Sequence, residues 1–242
     1  MTDASIARRA LPLLDLTDLG DTCTEAAIDA LCTAARASGV AAICVWPRFV
    51  AQAARLLAGS GVAVATVINF PAGGEDAARA VADTRAALAD GADEIDLVLP
   101  YRALREGRPE PARAMVSAVR DACGPACLKV ILETGELATP ELIEGASRLA
   151  LAAGADMIKT STGKSAVSAT PEAAEIMLVA LRETGGEHGL KVSGGIRTVA
   201  DAALYLALAD RIMGPDWATP RTFRIGASGL HAALIAARDP RP

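Results

Sequence analysis

Short aliphatic runs alternate along this chain with longer stretches in which Leu, Ile, Val and Ala return every three or four positions. The runs lie at 11–16, 40–46, 62–68, 92–99, 127–133, 155–160, 190–193 and 223–225. Unbroken apolar runs of this length fit strands buried on both faces, as in a parallel sheet. The stretches between them, such as 75–89 and 141–153, carry the period of amphipathic helices. Punctuation repeats with the pattern. Thr139-Pro140-Glu141 and Thr170-Pro171-Glu172 each supply an N-cap hydroxyl, a proline for the first turn and an acid beside the positive helix end. Gly91-Ala92-Asp93 and Gly154-Ala155-Asp156 each close a helix and open a strand.

Eight strand–helix units predict an α/β chain folded as a single (β/α)8 TIM barrel, one domain over 1–242, with an open doubly wound sheet as the alternative. Hydrophobic residues make up 52% and aromatic residues 3%, so Ala, Val, Leu and Ile must do the packing. The segment 56–74 carries no charge and is long enough to span a bilayer, but Gly59-Ser60-Gly61 and Asn69-Phe70-Pro71 break it into helix end, turn, strand and loop. Arg8-Arg9 starts like a twin-arginine signal, yet Asp15 ends the following apolar stretch too soon. No membrane partner and a cytoplasmic location are expected. A net charge of −5 with no basic block argues against nucleic acid. The five cysteines (Cys23, Cys32, Cys44, Cys123, Cys127) form no CxxC pair and read as small buried hydrophobes. With only two histidines, His188 and His231, no metal site or cofactor is expected.

Charges interrupt strands that should be aliphatic: Asp15, Asp96, Lys129, Glu133, Lys159 and Lys191. A buried charge survives when paired, or when function requires it. Barrel chemistry sits at the C-terminal strand ends, and Asp15, Asp96, Lys159 and Lys191 fall at or near such ends. A set of internal ion pairs is the bland reading. The chemical reading is a lysine held neutral by burial and by a second lysine, which makes its amine a nucleophile towards carbonyls, with a carboxylate to move protons. A protonated imine is its own electron sink, so no metal is needed. Gly194-Gly195 after the seventh strand and Gly226-Ala227-Ser228-Gly229 after the eighth occupy the place where barrels hold phosphate. Lys164 and Arg197 could add charge there. Glycine pairs also make ordinary turns; their position in the unit order is the argument.

Ile158-Lys159-Thr160-Ser161-Thr162-Gly163-Lys164 followed by Lys191-Val192-Ser193-Gly194-Gly195-Ile196-Arg197 resembles the signature of deoxyribose-phosphate aldolases. So do Asp15-Leu16-Thr17, Cys44-Val45-Trp46-Pro47-Arg48, Asn69-Phe70-Pro71, Glu94-Ile95-Asp96 with Pro100-Tyr101-Arg102, the run from Lys129 to Glu136, and Phe223-Arg224-Ile225-Gly226-Ala227-Ser228. The resemblance implies reversible cleavage of 2-deoxy-D-ribose 5-phosphate to D-glyceraldehyde 3-phosphate and acetaldehyde. It implies Lys159 as the Schiff-base lysine, Lys191 as its tuning neighbour and Asp96 as the proton donor or acceptor. By the same matching Thr160, Gly163, Lys164, Gly194, Gly195, Arg197, Gly226 and Ser228 form the phosphate and substrate shell, while Asp15, Cys44 and Lys129 line the pocket. The partners implied are a phosphorylated sugar and an aldehyde, with a homodimer left open. Two departures stand out. Val192-Ser193 replaces the Pro-Ala or Ala-Ser of other members, and no tyrosine follows Tyr205, where some members carry a terminal tyrosine that assists proton transfer. That assist is expected to be absent or to fall to another group or a water chain. A Schiff-base aldolase or isomerase for another phosphorylated sugar, and a non-catalytic sugar-phosphate-binding barrel, are the alternatives.

Overall fold

The aliphatic runs become eight parallel strands, each paired with the next in chain order, and the eighth closes on the first. The computed structural model describes residues 2–239. Its strands are β1 (Leu14–Asp18), β2 (Ala42–Val45), β3 (Ala63–Ile68), β4 (Glu94–Val98), β5 (Cys127–Ile131), β6 (Met157–Lys159), β7 (Gly189–Ser193) and β8 (Phe223–Ala227). Helices on the outside connect them, so the fold is a (β/α)8 TIM barrel.

The helix boundaries follow from the capping chemistry. Thr170 Oγ1 accepts from Ala173 N at 3.1 Å and Thr139 Oγ1 from Leu142 N at 3.3 Å, each with its proline in the first turn. Gly91 and Gly154 both take φ +101°, a conformation that lets the chain leave a helix and enter β4 or β6 at once. The uncharged segment 56–74 divides as its breakers require, into the end of helix Val50–Leu57, the strand β3 and a loop. Among the described residues no helix is long and apolar enough to cross a membrane.

Several strand ends differ from the apolar runs: β5 stops at Ile131, so Glu133 lies outside the strand, and two further ends have a local cause. Residues Leu11–Leu13 form one 3-10 turn instead of opening β1, because Pro12 has no N–H to give to a ladder. The helix Asp3–Ala10 precedes it, so Arg8 and Arg9 lie on a helix, and Arg9 pairs with Asp210 of the helix Val199–Met213. At the other end β8 runs on to Ala227, past the glycine that had suggested a loop.

Apolar packing is concentrated between the outer face of the barrel and its helices, where Leu, Ile, Val and Ala side chains are buried throughout. The inner face is different. Alternate residues of a strand face opposite ways, and the inward set includes most of the charged residues of the sheet.

Candidate active site

Inside the barrel, four cationic side chains meet three carboxylates. Asp96 in β4 is the hub. Its Oδ2 lies 2.6 Å from Lys159 Nζ and 2.7 Å from Lys191 Nζ, while Oδ1 lies 2.8 Å from Lys129 Nζ. Lys191 has a second carboxylate, Asp15 Oδ2 at 2.6 Å. Lys129 has Glu94 Oε2 at 2.6 Å. Deeper still, Arg224 reaches Asp15 Oδ1 at 2.6 Å and Glu94 Oε1 at 2.7 Å. Strand register produces this cluster: Asp96 is the partner of Lys129, Lys159 of Lys191, and Lys191 of Arg224. Every member is buried.

The members are not electrostatically equal. Burial opposes the charge of Lys191, but Asp15 and Asp96 outweigh it and raise its pKa. Burial also opposes the charge of Lys129, and Asp96, Glu94 and Asp15 together overcome it. Asp96 is held well below the carboxylate range because Lys129, Lys159 and Lys191 outweigh its burial. Lys159 is the exception. Burial lowers its pKa, and Lys191 lowers it further; Asp96 opposes both and does not prevail. One amine is therefore pushed towards its neutral, nucleophilic form while its neighbours stay charged.

Lys159 is also the one member of the cluster that lines a cleft. It lies on the floor of a cleft of about 770 Å³ at the C-terminal mouth of the barrel. Gly163, Lys164, Gly194, Gly195, Arg197, Gly226 and Ser228 line the same cleft. Gly194 and Gly195 take φ +88° and +82°, which turns the chain sharply just past β7. Gly226 leaves room for its neighbours: a Cβ there would stand 2.9 Å from both Lys191 Cε and Ser193 Cβ. The helix Leu230–Arg238 starts at the cleft, with Gly229 as its N-cap. Such a floor and rim can bind a phosphorylated carbonyl compound and capture its carbonyl carbon.

Residues 10–230 match the sequence profile described as DeoC/LacD family aldolase. The chain belongs to this family. It is 56% identical over 229 residues to a deoxyribose-phosphate aldolase of Agrobacterium fabrum, covering 93% of this chain and 88% of that one. An apo-form crystal structure of a candidate deoxyribose-phosphate aldolase from Toxoplasma gondii ME49 superimposes with a TM-score of 0.90 at 30% identity, over 98% of this chain and 97% of that one. The tetrameric deoxyribose phosphate aldolase of Aeropyrum pernix gives a TM-score of 0.78 at 25% identity, covering 97% and 92%.

In this DeoC/LacD aldolase the structure gathers most of the residues singled out in the sequence, though not at one depth. Only Lys159 ends its strand; Asp15, Asp96 and Lys191 lie within β1, β4 and β7. All four were expected at or near strand ends; Lys159 is at one, and the other three stand two or three residues short of theirs. Long lysine side chains and the inward pleat bring their charged tips together from below. Cys44 is buried with its Sγ 4.0 Å from Asp96 Oδ2, and burial raises its thiol pKa. Lys129 is buried beneath the floor. Thr160 stands apart from the cleft lining; its Oγ1 accepts from Ser193 N at 3.0 Å and ties β6 to β7. Glu133 lies outside the charged cluster, and its carboxylate accepts from the backbone and hydroxyl of Thr162, which lines the cleft.

Sequence reasoning passed over Glu94 and Arg224, although both are charges inside strands. It also passed over Thr17, Asp18, Thr162 and Ser193 on the cleft wall. Nothing in composition marks a threonine as wall rather than core. The two charges were visible and belonged with the other six.

Proposed function

We propose that this protein catalyses the reversible cleavage of 2-deoxy-D-ribose 5-phosphate to D-glyceraldehyde 3-phosphate and acetaldehyde, with Lys159 as the Schiff-base lysine. The observation that carries this reading is a single amine of lowered pKa at the base of the cleft, within 2.6 Å of a carboxylate. The 56% identity to a deoxyribose-phosphate aldolase supports the choice of substrate.

In the cleavage direction the Lys159 amine adds to the C1 aldehyde, and loss of water leaves a protonated imine. A base takes the proton of the C3 hydroxyl as the C2–C3 bond breaks. Glyceraldehyde 3-phosphate departs, and the bonding pair passes into the imine to give an enamine. Protonation at C2 and addition of water release acetaldehyde and restore the amine. Asp96 and Lys191, 2.7 Å apart, are placed to move these protons as a pair. Held so low in pKa, Asp96 suits relay better than storage, and Lys191 is the reservoir.

The phosphate is assigned to the mouth: the turns at Gly194-Gly195 and Gly226 to Ser228, the N-terminus of helix Leu230–Arg238, and the side chains of Lys164 and Arg197. Lys164 Nζ rests 3.1 Å from Asp21 Oδ1 and would exchange that exposed partner for phosphate. The five cysteines are all unpaired and buried or half-buried, which supports a reducing, cytoplasmic setting.

Release of glyceraldehyde 3-phosphate from deoxyribose 5-phosphate in a coupled assay tests the reaction. Borohydride trapping with acetaldehyde, followed by peptide mass mapping, tests the residue. An adduct on any lysine but 159, or none with active enzyme, overturns the assignment.

A further inference from the structure

Among the four cations of the barrel interior, Arg224 alone makes no contact with Asp96, and like Lys129 and Lys191 it lies outside the cleft lining. It lies in β8 and spans the interior to Glu94 in β4, four strands away in either direction round the barrel. Its other nitrogens are engaged as well: Nη1 reaches Asp15 Oδ1, and Nε binds the carbonyl oxygen of Pro220. Asp15 and Glu94 are the same carboxylates that hold Lys191 and Lys129.

Resting on the reading of Lys159 as the Schiff-base lysine, we propose that Arg224 is a positioning residue for the reaction. Locked across the barrel floor to Asp15 and Glu94, it leaves Lys159 as the amine with no carboxylate of its own. The count makes the point. Lys129, Lys191 and Arg224 match Asp15, Glu94 and Asp96 one for one, and Lys159 is the surplus cation. A guanidinium cannot shed its proton in a protein, whereas an ammonium can. With an arginine at the floor, the proton that leaves the overcharged cluster must come from a lysine. Lys191 and Lys129 each touch two carboxylates within 2.8 Å, and Lys159 touches one that is already shared. The other titratable groups near the two ends are thiols: Cys44 in β2 beside Lys159 and Lys191, and Cys127 in β5 near Arg224 and Lys129. Burial raises both, Cys127 to about 12, so neither supplies charge at neutral pH.

The test is the pH dependence of Lys159 trapping by acetaldehyde and cyanoborohydride in the intact enzyme, read by mass mapping beside kcat/KM profiles. Arg224→Met removes the surplus, so the acid limb should move up by on the order of one pH unit. Glu94→Gln enlarges the surplus and should move it down by a similar amount. The double variant E94Q/R224M restores the count and should return the limb towards the wild-type position. Arg224→Lys keeps the charge, since Asp15 and Glu94 would hold the new ammonium as they hold the guanidinium, but it loses the fork, and should lower thermal stability without moving the limb. A purely structural arginine would give no opposite shifts and no restoration. Should Arg224→Met fail to fold, the nearly isosteric Glu94→Gln and the charge-keeping Arg224→Lys decide. Shifts of one sign in both single variants, an unmoved limb in Glu94→Gln, or a moved limb in Arg224→Lys overturns the proposal. Absence of a Lys159 adduct in the wild-type enzyme would instead remove the Schiff-base reading.

Discussion

At the scale of single residues, the charge count separates roles that sequence motifs leave merged. Lys191 acts on Lys159 as an adjacent cation, and it also satisfies Asp15 and Asp96. Lys191→Leu therefore has two expected consequences. With one cation removed the cluster is balanced, Lys159 keeps its proton, and kcat/KM at neutral pH falls ~10- to ~1000-fold with the acid limb shifted upwards. Two carboxylates also lose a partner in the interior, so stability falls by about 3–5 kcal/mol. Near-normal activity in this variant would contradict the tuning role. Asp96→Asn works in the other direction on Lys159, since it removes a charge that holds the proton. Imine trapping should survive while turnover falls ~10²- to ~10⁴-fold for want of a proton carrier. An unchanged kcat would take Asp96 out of the chemistry. Lys159, Lys191 and Asp96 were legible in the sequence because a charge inside an aliphatic strand needs a reason. Glu94 and Arg224 obey the same rule but were passed over. Glu94 stands beside Asp93 near the start of the run 92–99, and Arg224 sits in the shortest apolar run, 223–225. What they do depends on facing across the barrel, which no local pattern records.

At the scale of elements, register and turns carry the geometry. All eight strands were legible from apolar runs and their spacing, because parallel barrel strands need apolar side chains on both faces. Their ends were less so. Pro12 delayed β1, and Gly226 hid the last turn of β8 by resembling a loop residue. Gly226 is glycine for a steric reason: Lys191 Cε occupies the space a methyl group would take. Gly226→Ala should cost ~1–3 kcal/mol through overpacking, and it should lower kcat because Lys191 is the side chain that must yield. Wild-type turnover with intact folding would show that Lys191 tolerates displacement. The cap at Thr170 offers a contrast on the outside of the barrel. Thr170→Ala strips the hydroxyl from Ala173 N, and thermal melts should show a loss of about 1 kcal/mol with the cleft chemistry unchanged.

At the scale of the whole molecule, the same cluster that supports chemistry shapes stability against pH. Asp15 and Asp96 have folded pKa values below their unfolded ones. Their contribution is present above about pH 4 and drains away as pH falls towards the folded values. Lys129 and Lys191 have raised values, so their contribution is full below about pH 10 and is lost only as pH climbs past that range. Lys159 runs against both groups. Its folded pKa is lowered, so at neutral pH the unfolded chain gains a proton that the folded chain holds less readily. That lysine therefore lowers the stability of the fold it serves, and the penalty shrinks as pH rises towards the unfolded value. Lys159→Met removes the penalty and leaves three cations facing three carboxylates, with an unbranched apolar side chain filling the space. This variant should be inactive yet melt at or above the wild-type temperature at pH 7, and the difference should narrow towards pH 10. The measurement is a pair of melting curves at the two pH values. A Lys159→Met enzyme that melts well below wild type at pH 7 would mean that the amine is a structural counter-ion to Asp96, and that the barrel holds no proton-poor nucleophile at all.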